Sequence, residues 1–190
     1  MNIVVNFSNP FVIIFFVGTI LSFLINHFLE FIDYKARKTN GGKLPAELQD
    51  ISLAVETFDT KKLKSICDYE NAKYFLWIPS SICSLILSIC LIIFGFYPFV
   101  FNLICELTGF PQSIFSSFLC FFLFMIISSI PEEILSIPFS LYKQFKLEKK
   151  FGFNTMTLKL WISDFIKDGI ISIIMSALLS FVASIFFVKC

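Results

Sequence analysis

An all-α, polytopic membrane helical bundle of about four transmembrane helices, with amphipathic helices on the cytosolic side, is the fold this 190-residue sequence predicts. Three observations carry it. Apolar residues make up 57% of the chain and aromatic residues 18%, with a mean hydropathy of +0.84, more than a water-soluble domain can keep inside. Four apolar runs are each long enough to cross a hydrocarbon core of about 30 Å, which takes ~20 helical residues. The 15 basic and 14 acidic residues nearly cancel to +1, yet they are confined to a few stretches, so their placement says more than their sum.

The runs are residues 11–31, 82–101, 114–141 and 170–188. The first is not a cleaved leader in pattern: nothing basic precedes it, and Lys35, Arg37, Lys38 and Lys43 follow it. It reads as a signal anchor with its N-terminus outside. Charge then alternates between segments. Residues 33–76 carry eight Lys or Arg, residues 102–112 none, residues 143–169 six, and only Lys189 remains at the far end. The positive-inside rule places both basic loops, 33–76 and 143–169, in the cytosol and both termini on the lumenal side.

The first basic loop is patterned. Pro45 suits the first turn of a short helix, and Asp59 or Thr60 can cap a second. Residues 61–74 read as a basic helix running towards the second span until Pro79 bends it. In the second basic loop, Phe151-Gly-Phe-Asn-Thr155 precedes an amphipathic stretch from Met156 to Asp168. Leu158, Trp161, Ile162 and Phe165 share one face of it, and Lys159, Ser163 and Lys167 another. This helix is expected at the membrane surface, with Gly169 letting the chain turn inward. Six cysteines show no C-x-x-C spacing, so neither a zinc framework nor a disulfide scaffold is expected.

Candidate chemistry is sparse. Pro131-Glu132-Glu133 interrupts the third apolar run, and carboxylates at that depth are costly unless they face protein or water. Glu132 and Glu133 therefore read either as interfacial or as facing an internal hydrated chamber. Ser172, Ser176, Ser180 and Ser184 recur every four residues on the last span, and Ser80, Ser84 and Ser88 do the same on the second; close helix packing is the plain reading and a wet chamber wall the sharper one. His27, with Asn26 and Glu30, ends the first span. One histidine does not build a catalytic zinc site, which typically takes three protein ligands. No P-loop, dinucleotide fingerprint, Cys/His dyad or H-E-x-x-H occurs, no cofactor is expected in this chain, and nothing points to nucleic acid.

The patterned loops carry a resemblance. Leu44-Pro-Ala-Glu-Leu48, Glu56-Thr-Phe58 with its basic helix, Ile137-Pro-Phe-Ser-Leu-Tyr142, Leu147-Glu-Lys-Lys-Phe-Gly-Phe-Asn154 and Leu160-Trp-Ile-Ser-Asp-Phe-Ile-Lys167 resemble, in order and spacing, the type I CAAX prenyl proteases. The resemblance implies zinc metalloendopeptidases of the endoplasmic reticulum and nuclear envelope that remove the last three residues of prenylated CAAX proteins. It implies seven helices around a hydrated chamber, with zinc held by H-E-x-x-H and a further glutamate, all C-terminal to the region matched here. The expectation is thus an N-terminal membrane portion, a fragment or truncated product that is inactive alone, with zinc only in the complete family enzyme. Its expected partners are the lipid bilayer, a prenylated CAAX protein or peptide, and a separately encoded catalytic half. Lys146, Lys149, Lys150 and Asn154 are the candidates for a substrate-side loop, and Glu132 and Glu133 for the chamber face. The alternative is a non-enzymatic four-helix membrane scaffold of the same descent; a small transporter or channel ranks below both.

Overall fold

The computed structural model describes residues 10–43 and 59–189, and every regular element among them is helical. The elements are α1 (Pro10–Asn40), α2 (Thr60–Ile93), α3 (Phe96–Thr108), α4 (Ile114–Tyr142), a π-helical turn (Lys143–Glu148) and α5 (Leu158–Lys189). The apolar runs lie in α1, in α2 and α3, in α4, and in α5. Four helices are long and apolar enough to cross a membrane, as expected for the bundle. The expected short helix at Pro45 and the Leu44–Leu48 and Glu56–Phe58 motifs fall outside the described residues.

Helix bounds depart from the sequence reading at three places. The second apolar run is broken: at Gly95 the backbone takes φ 68°, its N–H donates to the Ile92 carbonyl at 3.0 Å, and α3 restarts as Phe99 N–H donates to the Gly95 carbonyl. Only glycine takes that left-handed geometry without a Cβ penalty. Gly169, by contrast, does not turn the chain. The expected surface helix and the last span are one 32-residue helix, α5. An internal glycine costs only about 1 kcal/mol against alanine, and unbroken helix on both sides outweighs that where lipid offers backbone groups no partner. Pro79, Pro131 and Pro138 likewise sit inside helices that continue past them.

The chain forms two compact units. One comprises residues 86–137 and 156–189. Its core is Val100, Ile104 and Cys105 of α3 against Cys120 of α4, flanked by Leu123, Phe124 and Ile127. α5 packs on α4 through Phe118–Phe181 and Phe121–Phe187 edge contacts. Ser180 and Ser184 are fully buried, and Ser180 Oγ donates to the Met125 sulfur at 3.6 Å. Ser172 is exposed and Ser176 half-buried, so the serine stripe is a close-packed seam only along its later half.

The other unit comprises residues 10–43, 59–85 and 138–155. Here α1 and the first part of α2 pair antiparallel. Along the seam Ser81 and Trp77 meet His27, Tyr74 stacks on Tyr34, and Asn71 accepts from Arg37. Asp59 begins α2 as expected: its carboxylate accepts from the Lys61 N–H and its carbonyl from Leu63. α1 buries no residue fully, and its leucines, isoleucines and phenylalanines stand open, a surface for lipid rather than water.

Candidate functional site

The residues with the most to offer chemically lie in the second unit, where α1, α2 and the segment after α4 bring the basic residues together. The segment Lys143–Thr155 is folded back on itself. The π-helical turn widens the helix, and such turns are rare and concentrate at functional sites. After it, Phe151 N–H donates to the Leu147 carbonyl at 3.3 Å, Gly152 N–H to Lys149 at 3.2 Å and Phe153 N–H to Glu148 at 3.0 Å. Gly152, at φ 76°, makes this reversal possible. Asn154 closes the loop, its side-chain amide donating to the Gln144 carbonyl inside the π-turn.

The folded segment is fastened to α2 by Tyr69. Its ring meets Phe151 edge-on at 5.4 Å and Phe153 at 4.9 Å, and Lys73 Nζ lies over it at 5.2 Å. Lys73 also pairs with Glu70 at 3.0 Å. Two cavities open beside this fastening. One, of about 430 Å³, is lined by Glu30, Arg37, Lys73, Tyr74, Trp77 and Lys143 among others, charged side chains on a mainly apolar wall. The second, of about 550 Å³, has Phe75, Leu76, Pro79 and Leu147 on its walls and Lys146 and Lys150 among its lining.

Of the residues singled out from sequence, Lys146 and Lys150 line the second cavity, Lys149 is exposed, and Asn154 holds the loop's shape. Glu132 and Glu133 belong to the other unit. Glu132 is half-buried and accepts a hydrogen bond from Ser88 Oγ at 2.8 Å, with Tyr97 within electrostatic range; Glu133 is exposed. Tyr69, Tyr74, Trp77 and Arg37 were not singled out in advance. Their signal is the four-residue spacing of Tyr69, Lys73 and Trp77, which places all three on one face of the basic helix.

The Ser88–Glu132 pair is testable by itself. Removing one partner costs the survivor a hydrogen bond, whereas removing both is nearly neutral. We expect Ser88→Ala to cost about 1–2 kcal/mol. In the double variant with Glu132→Leu the total should be well below the sum of the single effects. Unfolding midpoints in detergent measure this coupling, and strict additivity would show that the pair does not interact.

The described residues do not fit a zinc ion. No three His, Cys, Asp or Glu side chains among them converge as a metal site. His27 is held between Phe23 and Trp77, with ring centroids 3.9 and 4.4 Å away. Its Nδ1–H donates to the Phe23 carbonyl at 3.0 Å and its Nε2 lies 3.2 Å from Ser81 Oγ. Both ring nitrogens are engaged, Nδ1 within α1 and Nε2 across to α2.

With this geometry in place, the comparisons with known proteins decide the family. The family model described as "CAAX prenyl protease N-terminal, five membrane helices" matches residues 33–190. The chain belongs to the CAAX prenyl protease family. The matched region is the family's N-terminal membrane domain and includes both basic loops. The chain is 34% identical over 164 residues to the CAAX prenyl protease 1 homolog of Dictyostelium discoideum, a match covering 83% of this chain and 35% of that protein. It is 29% identical over 157 residues to CAAX prenyl protease 1 of Saccharomyces cerevisiae, covering 79% and 32%. The chain thus spans about a third of the curated relatives it matches. The crystal structure of S. mikatae Ste24p shares the fold, with a TM-score of 0.66 at 24% identity over 95% of this chain and 44% of that one.

Proposed function

We propose that this N-terminal membrane domain of a CAAX prenyl protease homologue forms part of the wall of a helical proteolytic chamber. The loop 143–155 is presented on the cytosolic side, where a prenylated C-terminus enters, and both termini lie on the lumenal side of the endoplasmic reticulum membrane. The observation that carries the reading is the segment Lys143–Asn154, folded on Tyr69 beside two cavities within the family-matched region. Lys146 and Lys150 stand beside an apolar cavity as an anionic peptide terminus on an apolar anchor would require. Lys149 adds positive charge to the same loop, and Asn154 holds its conformation. Glu132, braced by Ser88, and Glu133 are assigned to the chamber side, where a carboxylate keeps water.

In this reading the zinc that performs hydrolysis in the family is bound by residues other than those described here. The wall contributes binding and orientation, and no step of peptide hydrolysis runs through its side chains. The purified chain alone is expected to give no chelator-sensitive cleavage of a farnesylated CAAX peptide. Co-expression with a catalytic half bearing H-E-x-x-H should restore cleavage, and charge reversal at Lys146 and Lys150 should then raise KM for the peptide. Chelator-sensitive cleavage by this chain alone would overturn the assignment of the metal site. An unchanged KM would overturn the loop's role.

A further inference from the structure

Cys105 and Cys120 are the two cysteines the fold brings together. One lies in the last turn but one of α3 and the other in the second turn of α4, separated by 15 residues of chain. Their sulfurs stand 3.9 Å apart, and both residues belong to the core of their unit, 5% and 0% exposed. A disulfide needs its sulfurs about 2.05 Å apart, so closing the gap takes a movement of about 2 Å, within reach of side-chain rotation. Both cysteines flank the segment between α3 and α4, which carries no basic residue and which the proposed topology puts on the lumenal side. That compartment is oxidising, whereas Cys67, on the basic helix, faces the reducing one.

We propose that Cys105 and Cys120 form a structural disulfide on the lumenal side, a covalent staple across the α3–α4 hairpin. The chemistry is dithiol–disulfide exchange with an oxidised protein disulfide donor of the lumen. The thiolate of one cysteine attacks a donor sulfur, forming a mixed disulfide and releasing the donor's other sulfur as a thiolate, which takes up a proton. The second cysteine, deprotonated, then attacks the mixed disulfide. The intramolecular bond forms, the donor leaves as a dithiol, and two electrons have passed from the chain to the donor. Because the pair is enclosed in the finished fold, exchange takes place as the hairpin inserts, before α3 seats on α4. Once formed, the bond is shielded from soluble reductants.

The staple rests on the proposed topology, and the experiment separates the two. The full chain is expressed in a eukaryotic cell, its thiols are blocked with N-ethylmaleimide in SDS, and thiols released by reduction are tagged with a maleimide-polyethylene glycol. The wild type should gain two tags; Cys105→Ser and Cys120→Ser should each gain none. In the detergent-solubilised folded chain, a membrane-impermeant phosphine should release those two thiols only after denaturation. In parallel, a glycosylation acceptor on a flexible linker inserted after Pro111 reports the side of that segment. A glycosylated segment with both thiols blocked directly by N-ethylmaleimide overturns the staple and leaves the topology standing. An unglycosylated segment overturns the topology and the staple with it. Two tags persisting in both serine variants assign the bond to other cysteines and also overturn it.

Discussion

Ser184→Leu is expected to lower the unfolding midpoint of the detergent-solubilised chain by about 5 °C or more, while Ser172→Leu leaves it unchanged. Both serines lie on the four-residue stripe of α5, three turns apart in a single helix, and at 3.6 residues per turn the stripe winds by about 120° between them. Ser184 has no exposed surface, and its hydroxyl already donates to the Phe181 carbonyl at 2.7 Å; Ser172 is open. A leucine at Ser184 must push apart helices whose spacing is set by small residues, and overpacking of this kind costs typically 1–3 kcal/mol. At ~2–4 °C per kcal/mol for a chain of this size, that is a shift readily seen in a melt. Ser180→Leu should behave like Ser184→Leu and also lose the contact to the Met125 sulfur. Equal tolerance at Ser172 and Ser184 would mean that the α4–α5 seam is not close-packed.

The serine stripe shows how far the sequence could be read. A four-residue period identifies a helix face, and that face is real. Which half of it is packed depends on where Phe118, Phe121 and Met125 of α4 arrive, and no local pattern in α5 encodes that. Helix type and number were legible because lipid makes long apolar runs helical almost without exception. Helix breaks were not. Gly95 and Gly169 look alike in sequence, but Gly95 adopts a positive φ where α2 and α3 part, and Gly169 is absorbed into α5. Pro79, expected to bend the helix, lies inside α2, which continues past it.

The candidate site divides along the same line. Charge alternation and the Phe-Gly-Phe-Asn block pointed to the segment 143–155, and two of the three lysines chosen there, Lys146 and Lys150, line a cavity. What fastens that segment is a long-range contact from Tyr69, more than 80 residues earlier on α2. Tyr69 itself falls in a basic helix where an aromatic residue reads as ordinary surface. The π-helical turn was also invisible, because its residues, Lys143 to Glu148, have no composition that separates it from α-helix. Its widened hydrogen bonding becomes intelligible only once Asn154 is seen donating to Gln144.

Tyr69→Ala should therefore unfasten the loop without unfolding the chain. It removes the ring that meets Phe151 and Phe153 and the surface under Lys73. For a half-buried aromatic side chain we put the loss at about 2–3 kcal/mol, below the range for a fully buried one. That corresponds to a rise of roughly 30- to 150-fold in the local opening equilibrium, read as hydrogen exchange at the Gly152 and Phe153 amides. Those amides report on the loop because their acceptors, the Lys149 and Glu148 carbonyls, lie within it. Tyr69→Phe keeps the rings together and gives up only the hydroxyl, so a rise of no more than roughly fivefold, about 1 kcal/mol, is expected. Asn154→Ala should resemble Tyr69→Phe, since it frees the Gln144 carbonyl while leaving the aromatic contacts intact. Exchange along the α1–α2 seam, held separately by His27, Trp77 and the Arg37–Asn71 bond, should not change in any of the three. If Tyr69→Ala left the Gly152 and Phe153 amides as protected as before, the loop's shape would belong to the π-turn and Asn154 alone, and Tyr69 would be a bystander on its helix. With the catalytic half present, the order Ala, then Phe, then wild type in amide exchange should reappear as the order of KM for a prenylated peptide.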